Sequence, residues 1–112
     1  MTQVERFAEY LNAYTRKDLA AISDMFADDI HLRDWKISVH GKEQALLETQ
    51  TNFNNAKSID IEILHTYESA DGVAGELKIV VDGTEILYVM DVLTFDQSSK
   101  ISAIRAFIGR ED

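Results

Sequence analysis

Neither cysteine nor proline occurs anywhere in the chain. Without cysteine there is no disulfide framework and no thiolate metal site. Without proline, no strand or helix is broken by a residue lacking a backbone N–H, and hydrophobic periodicity can be followed from end to end. Basic residues are scarce, 11 against 20 acidic, for a formal net charge of −9. Nucleic-acid binding needs Lys and Arg to neutralise phosphates, so a phosphate-tracking surface is not expected. The one adjacent basic pair, Arg16 and Lys17, falls at a predicted helix end, where cations suit the dipole. Long apolar runs are missing too, and nothing approaches the roughly 20 residues that span a bilayer. The N-terminal MTQVERFAEYLNAY is amphipathic and charged rather than signal-like. The expectation is a cytoplasmic protein with neither a membrane nor a nucleic-acid partner.

What is present is enough for one core: 112 residues, 46% of them hydrophobic, predict a single domain over 1–112. Val4, Phe7, Leu11 and Tyr14 recur at helical spacing over residues 3–16. Asp18 is a predicted N-cap for a short second helix reaching Phe26, and Gly41 to about Asn54 reads as a third. Between them Ile30, Leu32 and Asp34 share a strand face, with Ile37 to Val39 as a short return. From Ile59 onward the period changes to two. Asp71-Gly72 and Asp82-Gly83 have hairpin-turn chemistry, Gln97 to Ser99 makes a third turn, and Lys100 to Ile108 closes the chain's strands. Three helices followed by long strands joined by hairpins predict an α+β roll, with the helices packed on a curved, mostly antiparallel sheet. Two of those strands are apolar on both faces, which predicts a homodimer joined through the outer sheet face.

One residue does not fit its neighbours. Asp91 sits in YVMDVLTF, on the strand face it shares with Leu87, Val89, Leu93 and Phe95. The opposite face, Ile86, Tyr88, Met90 and Val92, is equally apolar. A carboxyl group in such a place is costly to ionise, so it is either paired or held for function. Arg105, on the last strand, is the candidate partner. Asp34 repeats the puzzle at the end of its own apolar face, where a solvated rim position is the plainer reading. Tyr10, on the flank of the first helix's apolar face, reads by default as a core-edge tyrosine. The pattern predicts an apolar pocket bearing carboxylates and names no reaction.

The segment EYLNAYTRKDLAAISDMFADDIHLRDW resembles the opening of the bacterial Δ5-3-ketosteroid isomerases, members of the nuclear transport factor 2-like, or SnoaL-like, superfamily. MDVLTFDQSSKISAIRAFIG resembles that family's last two strands. The FADD stretch, Phe26 to Asp29, and the closing strand pair are shared across the superfamily. More specific is where the family's catalytic positions fall. Counting from Asp18-Leu19, through FADD, and back from Gly109, they fall on Tyr10, Asp34 and Asp91. The resemblance implies that Asp34 is the general base, while Tyr10 and a protonated Asp91 form the oxyanion hole. No metal or organic cofactor is required for such a proton transfer.

The chain also departs from that family. Trp35 follows the base where the isomerases have proline, and Lys36 to His40 is about two residues shorter than their loop. Thr49 falls near a tyrosine that supports the oxyanion tyrosine. Leu77, Ile79 and Ile108 fall where larger or aromatic pocket residues are expected. With Trp35 these are the predicted ligand-binding residues. The departures spare the chemistry and bear on the ligand, which is expected to be a hydrophobic small molecule. His31, on the face opposite Asp34, and the isolated His40 and His65 read as surface or rim residues. Two alternatives stand beside isomerisation: a SnoaL-like polyketide cyclase, and a non-catalytic small-molecule-binding or dimerisation domain.

Overall fold

The computed structural model describes residues 1–110. Helices α1 (Gln3–Thr15) and α2 (Leu19–Met25) precede strands β1 (Phe26–Arg33) and β2 (Ser38–His40). Helix α3 (Lys42–Asn55) follows, then β3 (Ile59–Glu68), β4 (Gly72–Val81), β5 (Glu85–Phe95) and β6 (Ile101–Ile108). The strands form one sheet in the order β2-β1-β6-β5-β4-β3. Only the β1–β6 pair is parallel, which makes the sheet mixed but mostly antiparallel.

Local chemistry sets the boundaries. Thr2 and Glu5 form a reciprocal capping box on α1, each side chain accepting the other's backbone N–H. Asp18 caps α2 by accepting from the Ala21 N–H at 3.1 Å. Phe26, expected to end α2, instead begins β1 in extended backbone. Asp82 and Gly83 both take positive φ, 54° and 74°, as a tight hairpin between β4 and β5 requires.

The helices lie on the concave face of the sheet, and the core sits between them. Phe7, Ile22, Phe26, Ile30, Leu77, Leu93 and Ile101 are its largest fully buried side chains. Residues 87, 89, 91, 93 and 95 of β5 face this side, as the alternation predicts. The convex face carries Ile86, Tyr88, Met90 and Val92 together with Phe107, and Ile86 and Phe107 are both exposed. The Arg33 guanidinium lies 4.6 Å above the Phe107 ring on that same face.

One close approach fixes how α1 meets the sheet. A Cβ on Gly75 would stand 2.2 Å from Cζ of Phe7, so the ring occupies the space a side chain would take. Gly75→Ala must therefore displace Phe7 from the core. Denaturant unfolding should show a loss of about 1–3 kcal/mol, typical of overpacking; an unchanged midpoint would show that this contact does not set the helix position.

Candidate active site

A cavity of about 330 Å³ opens between α1, α3 and the concave sheet face. Its floor is apolar, built from Leu32, Ile59, Ile61, Ile79, Leu87, Val89 and Ile104. Tyr10, Tyr14, Asp34 and Asp91 also line it, so Tyr10, Asp34 and Asp91 meet in one place.

The sheet register explains the state of Asp91. Its cross-strand neighbours are Gly75 on β4 and Ala106 on β6. Neither offers a side-chain donor. Arg105 pairs with Val92 instead, which places it on the opposite face, so the expected Asp91–Arg105 pair does not form. Among the described residues no hydrogen bond or ion pair reaches the Asp91 carboxyl. Burial, and secondarily the charge of Asp34, pushes its pKa from 3.8 up to about 7.

Asp34 is placed differently. It stands just beyond β1, at the first position of a two-residue hairpin through Trp35 and Lys36. Its Oδ1 accepts the backbone N–H groups of Lys36 at 2.7 Å and Ile37 at 2.9 Å, while its own N–H donates to the Ile37 carbonyl. Asp is favoured at the start of such a turn because its side chain can hold the following backbone. Among the described residues Oδ2 has no protein donor, and it can face a ligand. This short turn is the physical form of the shortened segment noted in the sequence.

Tyr10 is buried except toward the cavity. Burial raises its pKa well above the ordinary value, and the nearby Tyr14 and Asp91 add to the rise. Its phenol is thus held as O–H. Among the described residues no group donates to or accepts from that hydroxyl and no fully buried side-chain polar atom is unpaired, so the hydroxyl is reached from the cavity. Thr49 cannot support it: its hydroxyl donates to the Ala45 carbonyl within α3, at 2.8 Å.

The predicted ligand-binding residues divide. Trp35, 41% exposed, stands at the mouth, and Ile79 lines the floor. Leu77 does not line the cavity; it is fully buried in the core on the inner face of β4. Ile108 pairs with Val89, but at the last residue of β6 it is exposed and outside the cavity. Sequence reasoning missed Tyr14 and Asn52 as site residues, although Tyr14 lies one helical turn from Tyr10 and therefore on the same face. His40 is not isolated, since its ring stacks on His31 at 4.2 Å on the outer sheet surface.

The raised pKa of Asp91 makes stability depend on pH. Between pH 3.8 and about 7 the folded protein holds a proton at Asp91 that the unfolded chain releases. That stabilisation is complete below the unfolded value and is lost as pH rises through the window. Ionised Asp91 costs up to about 4 kcal/mol. Asp91→Asn should match the wild type near pH 4 and exceed it by a growing margin up to pH 7–8 in denaturant titrations. A gap that does not change with pH would contradict the raised pKa.

Residues 4–104 match the SnoaL-like domain family. No curated protein matches the chain by sequence. In structure it is similar to SalBIII, an epoxide hydrolase/cyclase-like enzyme of pyran ring formation in the polyether salinomycin (TM-score 0.83, 23% identity, 96% of this chain and 90% of that one). It is also similar to a protein provisionally assigned as a ketosteroid isomerase from Kribbella flavida DSM 17836 (0.82, 12%, 96% and 78%). A third likeness is an NTF2-like protein of unknown function from Cytophaga hutchinsonii ATCC 33406 (0.81, 11%, 97% and 91%). At these identities the likeness is one of fold, whereas the family match spans most of the sequence. The chain therefore belongs to the SnoaL-like domain family.

Proposed function

We propose that the protein is an isomerase that moves a carbon–carbon double bond into conjugation with a ketone by intramolecular proton transfer. Its substrate is a hydrophobic carbonyl compound. The observation that carries this reading is a pair of carboxyl groups with opposite surroundings in one apolar cavity. Asp34 holds backbone N–H groups through one oxygen and offers the other, while Asp91 has no donor and is pushed toward its neutral form. One environment suits a base and the other a hydrogen-bond donor.

In this mechanism Asp34 takes a proton from the carbon between the ketone and the alkene. The C–H electrons delocalise onto the ketone oxygen as a dienolate. Tyr10 and protonated Asp91 donate hydrogen bonds to that oxygen, each worth about 3–4 kcal/mol in the transition state. Asp34 then returns the proton two carbons away, at the far end of the former alkene. Nothing is oxidised and nothing leaves. Ligand pockets run from about 300 to 1,000 Å³, and a cavity of about 330 Å³ is near the small end. A compact ring ketone suits it better than a ligand needing full enclosure of four fused rings.

A second reading, a SnoaL-like cyclase, is favoured by the 23% identity to SalBIII. The same two carboxyl groups would serve a ring closure, Asp34 removing the proton of an attacking hydroxyl and Asp91 protonating the acceptor. The outer sheet face adds a separate proposal, that two copies pair through Ile86, Tyr88, Met90 and Phe107. A charge there, as in Met90→Glu, should convert a dimer to a monomer in light scattering; an unchanged mass would reject this face.

The reaction is tested by ultraviolet detection of the conjugated enone formed from β,γ-unsaturated ketones of increasing size, from a single ring to a Δ5-3-ketosteroid. Asp34→Asn should lower turnover by about 10²–10⁴-fold or more. Because Asp91 must carry its proton, kcat/KM should fall as pH rises through about 7. No conversion of any ketone by folded protein would reject isomerisation in favour of ring closure or binding alone.

A further inference from the structure

Tyr14 has no part in the mechanism above, yet it lines the same cavity. Its ring is fixed on two sides. It packs edge-on against Phe53 at 4.9 Å and against Tyr10 at 6.0 Å. Its hydroxyl oxygen accepts a hydrogen bond from the Asn52 side-chain amide at 3.0 Å. Burial is the main reason its pKa rises to about 12, and the charges of both Asp91 and Asp34 reach it. The group is therefore a neutral phenol in the cavity that also holds both carboxyls.

The direction of the Asn52 bond matters. A hydroxyl that accepts from an amide keeps its own proton available. No protein acceptor takes that proton among the described residues. A second tyrosine thus lines the cavity with its hydroxyl proton uncommitted, packed against Tyr10, whose own hydroxyl has no support from Thr49. A hydrogen bond received by an O–H group also polarises it and strengthens the bond it donates.

We infer that Tyr14, held by Asn52, is a further hydrogen-bond donor to the carbonyl or enolate oxygen of the bound ligand, alongside Tyr10 and Asp91. This rests on the reading of the cavity as a site for an oxyanion. It widens the group of donors from two to three and makes the end of α1 a two-tyrosine rim over the reacting oxygen. It also narrows the ligand: the oxygen must project toward α1 and not toward the Trp35 mouth.

The test uses 2-naphthol and naphthalene, which differ only by the oxygen, binding to wild type, Tyr14→Phe, Asn52→Ala and Tyr10→Phe. Tyr14→Phe keeps the ring packed on Phe53 and removes only the hydroxyl. It should weaken 2-naphthol, a neutral phenol near pH 7, by about three- to tenfold, as expected for a hydrogen bond between neutral groups, and leave naphthalene unchanged. Asn52→Ala should act in the same direction by a smaller factor. If Tyr10→Phe weakens 2-naphthol and Tyr14→Phe does not, Tyr14 is only a wall of the cavity and the inference fails while the oxyanion site stands. Equal losses for both ligands in Tyr14→Phe would likewise overturn it, as a packing effect. If wild type binds 2-naphthol no better than naphthalene, the oxyanion site fails and the inference falls with it.

Discussion

The site depends on a carboxyl group set on a sheet position whose neighbours cannot hydrogen-bond to it. Asp91 lies between Gly75 and Ala106, and neither carries a donor. The cation expected to pair with it, Arg105, is turned to the other face by the two-residue period of β6. Asp91 lines the cavity. Burial then dominates its protonation, and the charge of Asp34 acts in the same direction. A single Lys or Arg at position 106 would change this chemistry completely, because a paired carboxylate ionises readily.

Other features follow from holding that position open. Gly75 leaves room above the sheet for Phe7, which seats α1 close to β4. With α1 so placed, Tyr10 and Tyr14, one turn apart, come to the cavity beside the two carboxyls. The second carboxyl is fixed by a different device. Asp34 anchors the hairpin between β1 and β2 with one oxygen, so a turn residue serves as a site residue without a rotamer being ordered for the purpose. Structure and proposed chemistry share the same hydrogen bonds there.

The alternation in YVMDVLTF set Asp91 on one face with Leu87, Val89, Leu93 and Phe95, but with both faces apolar it left open which is inner; the structure turns that face toward the helices. The Asp18 cap and the Asp82-Gly83 hairpin were legible, since each rests on local chemistry, whereas neither Asp71 nor Gly72 takes the positive φ of such a turn and Gly72 already opens β4. What was not legible came from register. The sequence could not show that Arg105 stands opposite Val92, nor that His31 and His40 stack across β1 and β2. Leu77 was assigned to the cavity from its position in the resembled family, but it is fully buried in the core while Ile79, on the same face of β4, reaches the cavity. Ile108 shares a face with Val89 and lies past the end of the cover. Tyr14 was hidden by its apolar surroundings: a tyrosine at helical spacing looks like core until its hydroxyl is seen with Asn52.

Two carboxyl groups with opposite surroundings are the centre of the account, and the direct measurement is of Asp91 itself. The side-chain carboxyl carbon can be followed by NMR through a pH titration, in wild type and in Asp34→Asn. The predicted result is a midpoint near 7 that moves down when Asp34 loses its charge but stays above the ordinary value, since burial is the larger cause. A midpoint near 4 in the folded wild type, the normal value for aspartate, would contradict it.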